Sequence, residues 1–263
     1  MLNYRNAVAV AAHRGNSKYF PENTMVAFRS AVALEPDMLE IDLHMTKDGV
    51  IVMMHDHTVD RTTNGTGLIR EKTLEEIRAL DAGSWKGAEF AGEKVPTFEE
   101  FLVFMRDYPD MLINVELKDY PAHSGDFAYE SADKAIAMLQ AENLLPRCTI
   151  NTWSGELNEY LKAKYGDEVM IHAYFPQTLM GLNQKRFVLD YAYCVCLFGF
   201  QNQPVVDKLH FDVVKQYGVE PWVYYKEDTP ELVDASIENG AMLFTSNDPK
   251  WLMDYLRQKG LHK

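Results

Sequence analysis

The sequence predicts an α/β fold: a distorted (β/α)8 barrel of the TIM type with a small insertion after strand 2. Three observations lead there. The chain has 263 residues, and single α/β barrels commonly occupy about 250 residues as one domain. Eight short apolar runs recur, most of them separated by segments with helical spacing, and such alternation favours a closed parallel barrel. The rhythm breaks once, after the second run, where a hairpin and a turn-rich stretch leave no room for the regular helix. An open doubly wound sheet is the competing arrangement. Residues 1–263 read as one barrel domain, with residues 57–96 as a small inserted cap.

The runs are AVAVAAH (7–13), MLEIDLH (38–44), MLINVELK (111–118), CTINTW (148–153), VMIHAYF (169–175), AYCVCLF (192–198), EPWVYY (220–225) and AMLFTS (241–246). Between them, PENTMVAFRSAVAL (21–34) offers a capping residue and then apolar residues at helical spacing. Residues 127–145, 154–166, 211–218 and 229–240 repeat the theme, several closing on glycine. After strand two, TKDG (46–49) followed by VIVMMHD (50–56) spells a hairpin. A turn centred on Lys47-Asp48 would pair Glu40 with His55 and Asp42 with Met53, so that Glu40, Asp42 and His55 face one way. Within the insertion, RTTNGTG (61–67) is turn-rich and TLEEIRAL (73–80) is a short capped helix. TFEEFLVFMRDYP (97–109) looks like the barrel helix resuming.

Composition narrows the function. Hydrophobic residues make up 47% and charged residues 25%, enough to fill a sizeable core. The formal net charge of −13 argues against nucleic acid and against an anionic membrane surface. An anionic substrate would need a local cation to offset that field. Cys148, Cys194 and Cys196 show no metal spacing and read as reduced core thiols. The N-terminal apolar run is broken early by His13 and Arg14, and no run approaches a membrane span of about 18 residues, which reads as a cytoplasmic protein without membrane insertion. The oligomeric state is not legible.

Active sites of such barrels sit at the C-terminal ends of the strands. What ends the strands here is His13-Arg14 on the first, Glu40 and Asp42 on the second, His55 on the hairpin, and Glu116 and Lys118 on the third. Three converging carboxylates repel one another unless a cation lies between them, and all-oxygen ligation favours calcium or magnesium. Arg14 and Lys118 suit phosphate. Two histidines can divide acid and base work. Together these suggest phosphodiester cleavage, although the same inventory could stabilise an enolate.

HRG (13–15), PENT (21–24), EIDLHMTKDGVIVMMHD (40–56), RTTNGTG (61–67), TLEEIRALDAG (73–83), GEKVPTFEE (92–100) and ELK (116–118) together resemble the glycerophosphodiester phosphodiesterase family, in order and spacing. The resemblance implies a distorted (β/α)8 barrel with an insertion after its second strand. It implies Glu40, Asp42 and Glu116 as ligands of one divalent cation, calcium or magnesium. It further implies His13 and His55 as an acid/base pair, with Arg14 and Lys118 on the phosphate. The implied substrate is a small glycerophosphodiester, hydrolysed to an alcohol and glycerol 3-phosphate, with the glycerol 2-hydroxyl as one candidate nucleophile. The rivals are a lyase that releases a cyclic phosphate from a lysophospholipid-like diester, and a barrel that binds phosphodiesters without turnover.

The C-terminal half departs from the family pattern. Counting back from Gly240 puts Tyr225 where the family has a tryptophan, with Trp222 three residues earlier, and TSNDP (245–249) replaces a shorter ending. Tyr225 is expected to contact substrate, and Trp222 either walls the pocket or packs in the core. The head-group alcohol is not legible. His44 and His57 read as solvated or capping residues, Arg61 as a turn anchor and His172 as a strand-end residue near the site. Asp56 reads as a bystander to His55.

Overall fold

A computed structural model describes residues 1–198 and 207–263. Eight parallel strands close a ring in chain order: β1 (Ala9–His13), β2 (Met38–Met45), β4 (Leu112–Leu117), β5 (Cys148–Asn151), β6 (Met170–Phe175), β7 (Cys194–Leu197), β8 (Glu220–Tyr224) and β9 (Leu243–Ser246). Pairing of β1 with both β9 and β2 completes the closure. A ninth strand, β3 (Ile51–Met53), pairs antiparallel with the end of β2, beyond its pairing with β1.

The helices that cover the ring follow from local sequence. Thr24 caps α1 (Met25–Val32), whose Phe28 is fully buried against Phe101 at 5.0 Å between ring centroids. Burying one such ring stabilises the fold by about 1.5–3 kcal/mol. Capping boxes, Thr73 with Glu76 and Thr97 with Glu100, open α2 (Leu74–Ala79) and α3 (Phe98–Met105). The short α4 (Pro121–Ser124) precedes α5 (Asp126–Ala141), and α6 (Gly155–Tyr165), α7 (Lys208–Gln216) and α8 (Pro230–Asn239) follow their strands. The last helix, α9 (Pro249–Gln258), is not among those read from the sequence. Its signals are nevertheless there: Asp248 caps it, Pro249 opens it, and Leu252, Met253 and Leu256 are its buried stripe. Between β6 and β7 the described chain forms only short 3-10 turns, Gln177–Met180 and Val188–Asp190.

The hairpin register differs from expectation by one residue. Leu43 pairs with Met53, His44 with Val52 and Met45 with Ile51, so Glu40–His55 and Asp42–Met53 do not pair. The turn absorbs one residue more than a two-residue loop. The Thr46 amide donates to the Val50 carbonyl at 2.9 Å and the Gly49 amide to Thr46 at 2.9 Å. Gly49 takes φ +81°, a conformation glycine adopts without strain.

Alternation along the strands divides the barrel interior into layers. At the N-terminal end, Ala9, Ala11, Met38, Leu112, Cys194, Trp222 and Leu243 form an apolar plug. The next inward positions toward the C-terminal end are polar: His13, Glu40, Asp42, Asn114, Glu116, Asn151 and His172, all buried. The outward residues Leu39, Ile41 and Leu43 belong to the large core beneath the helices. The cysteines are buried and unpaired. A separate apolar cluster of Val52, Met54, Val59, Ile69, Ile77, Ala82 and Val95 holds the region after β3.

Candidate active site

His13 ends β1, and the chain turns sharply after it. Arg14 takes φ +56° and Gly15 φ +82°, and a Cβ on Gly15 would stand 2.8 Å from the Ala27 backbone. Glycine is required there by both conformation and space. The turn brings the Arg14 amide onto Glu40, 2.8 Å from its Oε2. Asn23, at φ +55°, donates its side-chain amide to Asp42 Oδ2 at 2.8 Å and accepts the Asp42 amide at 3.2 Å. The stretch PENT thus caps α1 with Thr24 and fixes a carboxylate of β2 with Asn23.

Glu40, Asp42 and Glu116 each present an oxygen within 4.8 Å of the other two, and all three are buried. Burial, reinforced by the charges of Asp42 and Glu116, pushes the Glu40 carboxyl well above the usual range. Burial acts the same way on Asp42, but Lys118 and Arg14 outweigh it and hold that group low. Glu40 Oε1 and Asp42 Oδ1 are buried without a hydrogen-bond partner. Buried carboxylate oxygens that accept no hydrogen bond, beside a third carboxylate, fit a hard dication.

The two histidines flank this group. His13 Nδ1 lies 2.6 Å from Asn247 Oδ1, and its Nε2 is 3.8 Å from Glu40. Burial, with help from Arg14, pushes its pKa down to about 3. His55 Nδ1 lies 2.6 Å from Asp56 Oδ1. Arg61 donates to Asp56 at 2.7 Å and to Glu22 at 2.8 Å, and Glu22 accepts Arg14 at 2.9 Å. This relay ties the His13 turn to the His55 segment.

The profile of the glycerophosphoryl diester phosphodiesterase family matches residues 13–243. The chain belongs to that family. It is 35% identical over 255 residues to a glycerophosphodiester phosphodiesterase of Caldanaerobacter subterraneus, an alignment spanning 95% of this chain and 98% of that protein. A phosphodiesterase of Oleispira antarctica, solved with the product sn-glycerol-3-phosphate, superposes with a TM-score of 0.79 at 23% identity, covering 95% of this chain and 96% of that one. The glycerophosphodiester phosphodiesterase of Agrobacterium tumefaciens gives 0.75 at 23% identity over 92% and 97% of the two chains.

Within the family fold, the structure gathers His13, Arg14, Glu40, His55 and Glu116 around a cavity of about 200 Å³. A larger cavity, about 700 Å³, meets it at His13, Arg14 and Tyr224 and is also lined by Trp85, Lys86 and Trp251. Lys118 sits deeper, with Nζ 2.7 Å from Glu116 and 3.6 Å from Asp42, and lines neither cavity. His55 reaches the mouth although the observed register would turn its position outward, because β3 stops at Met53 and strand alternation stops with it.

Tyr225, expected to contact substrate, is not brought to the cavities. It follows the last residue of β8 and turns toward α8, with its hydroxyl 2.6 Å from Ser236 Oγ. Its neighbour Tyr224 faces inward, its ring 4.8 Å from that of His13. The inward position is Tyr224, one residue before the one that the spacing from Gly240 picks out. Trp222 is fully buried in the plug and walls neither cavity. His172 does line the smaller cavity, with Nδ1 2.7 Å from Asn151. Asp56 is no bystander and Arg61 is more than a turn anchor, since together they orient His55. Glu22, Tyr224 and Asn247 have no individual role in the sequence reading, and Asn23 reads there only as an alternative to Thr24 for the cap. PENT and the contiguity of Asp56 with His55 were usable signals, whereas Asn247 is 234 residues from its partner His13.

Proposed function

We propose that the chain hydrolyses small glycerophosphodiesters to an alcohol and glycerol 3-phosphate, using one magnesium or calcium ion held by Glu40, Asp42 and Glu116. Two buried oxygens that accept no hydrogen bond, Glu40 Oε1 and Asp42 Oδ1, carry this reading. Oxygen-only donors in that number suit a hard dication better than zinc or copper. When bound, such an ion supplies Lewis-acid polarisation of a phosphoryl oxygen.

The remaining roles belong to side chains. Arg14, on the wall of both cavities, presents its guanidinium to the phosphate. Lys118 contributes charge from behind Glu116 and keeps Asp42 ionised. With Asn247 Oδ1 accepting from Nδ1, His13 offers Nε2 as a base to the attacking hydroxyl, whether water or the glycerol 2-hydroxyl. His55, oriented by Asp56, delivers a proton to the departing alkoxide as the new P–O bond forms and the old one breaks. Where the 2-hydroxyl attacks, water then opens the cyclic phosphate, with His55 taking the water proton and His13 returning one to the 2-oxygen. The two cavities give one arm to each ester substituent of the diester. Trp85 and Lys86 on the larger cavity support reading residues 57–96 as a cap over the mouth. Three unpaired cysteines support a reducing, cytoplasmic setting. Among the described residues, no helix is long and apolar enough to cross a membrane.

The test is a 31P NMR assay with glycerophosphocholine, glycerophosphoethanolamine, glycerophosphoglycerol and glycerophosphoinositol, each with magnesium or calcium. Glycerol 3-phosphate should appear, disappear on chelation, and fall by about 10²–10⁴ in His55→Ala. Accumulation of a stable cyclic phosphate would replace hydrolysis with the lyase reading. Activity surviving full chelation would overturn the metal assignment.

A further inference from the structure

A second group of metal-ligating side chains lies at the barrel rim, where β2 ends beside β4. His44, His57 and Asp119 each present a ligand atom, and these atoms lie within 4.8 Å of one another. None of the three lines either active-site cavity.

The group is partly built. Asp119 is fixed: Oδ1 lies 2.8 Å from His44 Nδ1, and Oδ2 accepts the Met45 amide and the Ser131 hydroxyl, each at 2.8 Å. With His44 Nε2 also 3.3 Å from the His55 carbonyl oxygen, that accounts for His44 and Asp119 as a satisfied buried pair, and an ion here would replace one of the two His44 contacts. It does not account for the imidazoles that converge on them. The half-buried His57 ring stands edge-on to His44 at 5.2 Å and to His123 at 5.4 Å. His123, on α4, is exposed. Three separate pieces of chain, the end of β2, the segment after β3 and the stretch from Asp119 into α4, therefore bring three imidazoles and one carboxylate to one place.

The donor chemistry differs from that of the Glu40–Asp42–Glu116 group. Imidazole nitrogens with a carboxylate suit zinc and related transition metals, whereas calcium and magnesium prefer oxygen alone. We propose that His44, His57 and Asp119 form a second cation site, for a transition-metal dication such as zinc, with His123 at its open side. The ion would cross-link the end of β2, the residue after Lys118 and the segment that carries His55.

The experiment is calorimetric titration of zinc into the full chain under saturating magnesium, repeated with His57→Gln and His123→Ala. Wild type should bind one zinc at this site, and affinity should fall about tenfold or more in His57→Gln, less in His123→Ala. Magnesium-supported hydrolysis should persist in His57→Gln. In wild type, the imidazole NMR signals of His44 and His57 should shift on zinc addition, a readout that does not require the variant to fold. Undiminished zinc affinity in His57→Gln, unmoved His44 and His57 signals, or no zinc binding by wild type would each overturn the proposal.

Discussion

Asn23 and Asp42 exchange two hydrogen bonds, one from the Asn23 side-chain amide to the carboxylate at 2.8 Å and one from the Asp42 amide to Asn23 Oδ1 at 3.2 Å. The first residue belongs to a turn that only a few residue types tolerate, the second to a barrel strand. Asn23→Ala removes both bonds and places a less tolerant residue at positive φ. The expected result is a 10–100-fold rise in the magnesium concentration needed for half-maximal activity, with about 1–3 kcal/mol lost in stability. A metal titration of activity beside a urea melt checks both.

Asp56 orients His55 and is itself held by Arg61. In Asp56→Ala the imidazole keeps its chemistry and loses its direction. We expect kcat to fall about tenfold or more with KM nearly unchanged. A rise in KM at constant kcat would mean that Asp56 serves binding instead. Arg61→Ala should reproduce part of the loss.

Asp228 sits on the larger cavity, and burial pushes its pKa up to about 6. A carboxyl whose folded pKa exceeds its unfolded value stabilises the fold below the unfolded pKa, near 3.9, and that contribution disappears as pH rises through about 6. Asp228→Asn carries no such charge. The two proteins should therefore melt alike near pH 4, while the variant should be more stable by on the order of 2 kcal/mol at pH 8. Thermal melts across that range read the sign directly.

Adjacent tyrosines at the end of β8, Tyr224 its last residue and Tyr225 the next, make a clean contrast. Tyr225→Phe loses the bond to Ser236 and should cost about 0.5–1.5 kcal/mol of stability while leaving turnover almost intact. Tyr224→Ala removes the ring packed on His13 and should reduce kcat/KM by about tenfold or more. Equal effects of the two on turnover would contradict the inward placement of Tyr224.

The barrel was legible because its signals are local. Each strand is a short apolar run, and each helix carries its stripe and often its cap within about a dozen residues. The inward set Glu40, Asp42 and Glu116 was legible too, because alternation puts their apolar neighbours on the helix side. What sequence alone determined, then, is the element order, the strand-end chemistry and the family motif from His13 to Lys118.

Tertiary structure decided the rest. The hairpin slipped by one residue because the turn between Thr46 and Val50, not the apolar pattern, sets register. His55 faces the mouth only because β3 ends early. Tyr224 replaced Tyr225 because barrel closure, not distance from a downstream glycine, fixes which face is inward. Asn247 meets His13 across the β1–β9 seam. Lys118 turned from the cavity toward Glu116 and Asp42, since a buried ammonium goes to the nearest carboxylates. Local patterns carry element type and face, whereas these contacts depend on ring closure, which brings together residues that no local pattern relates.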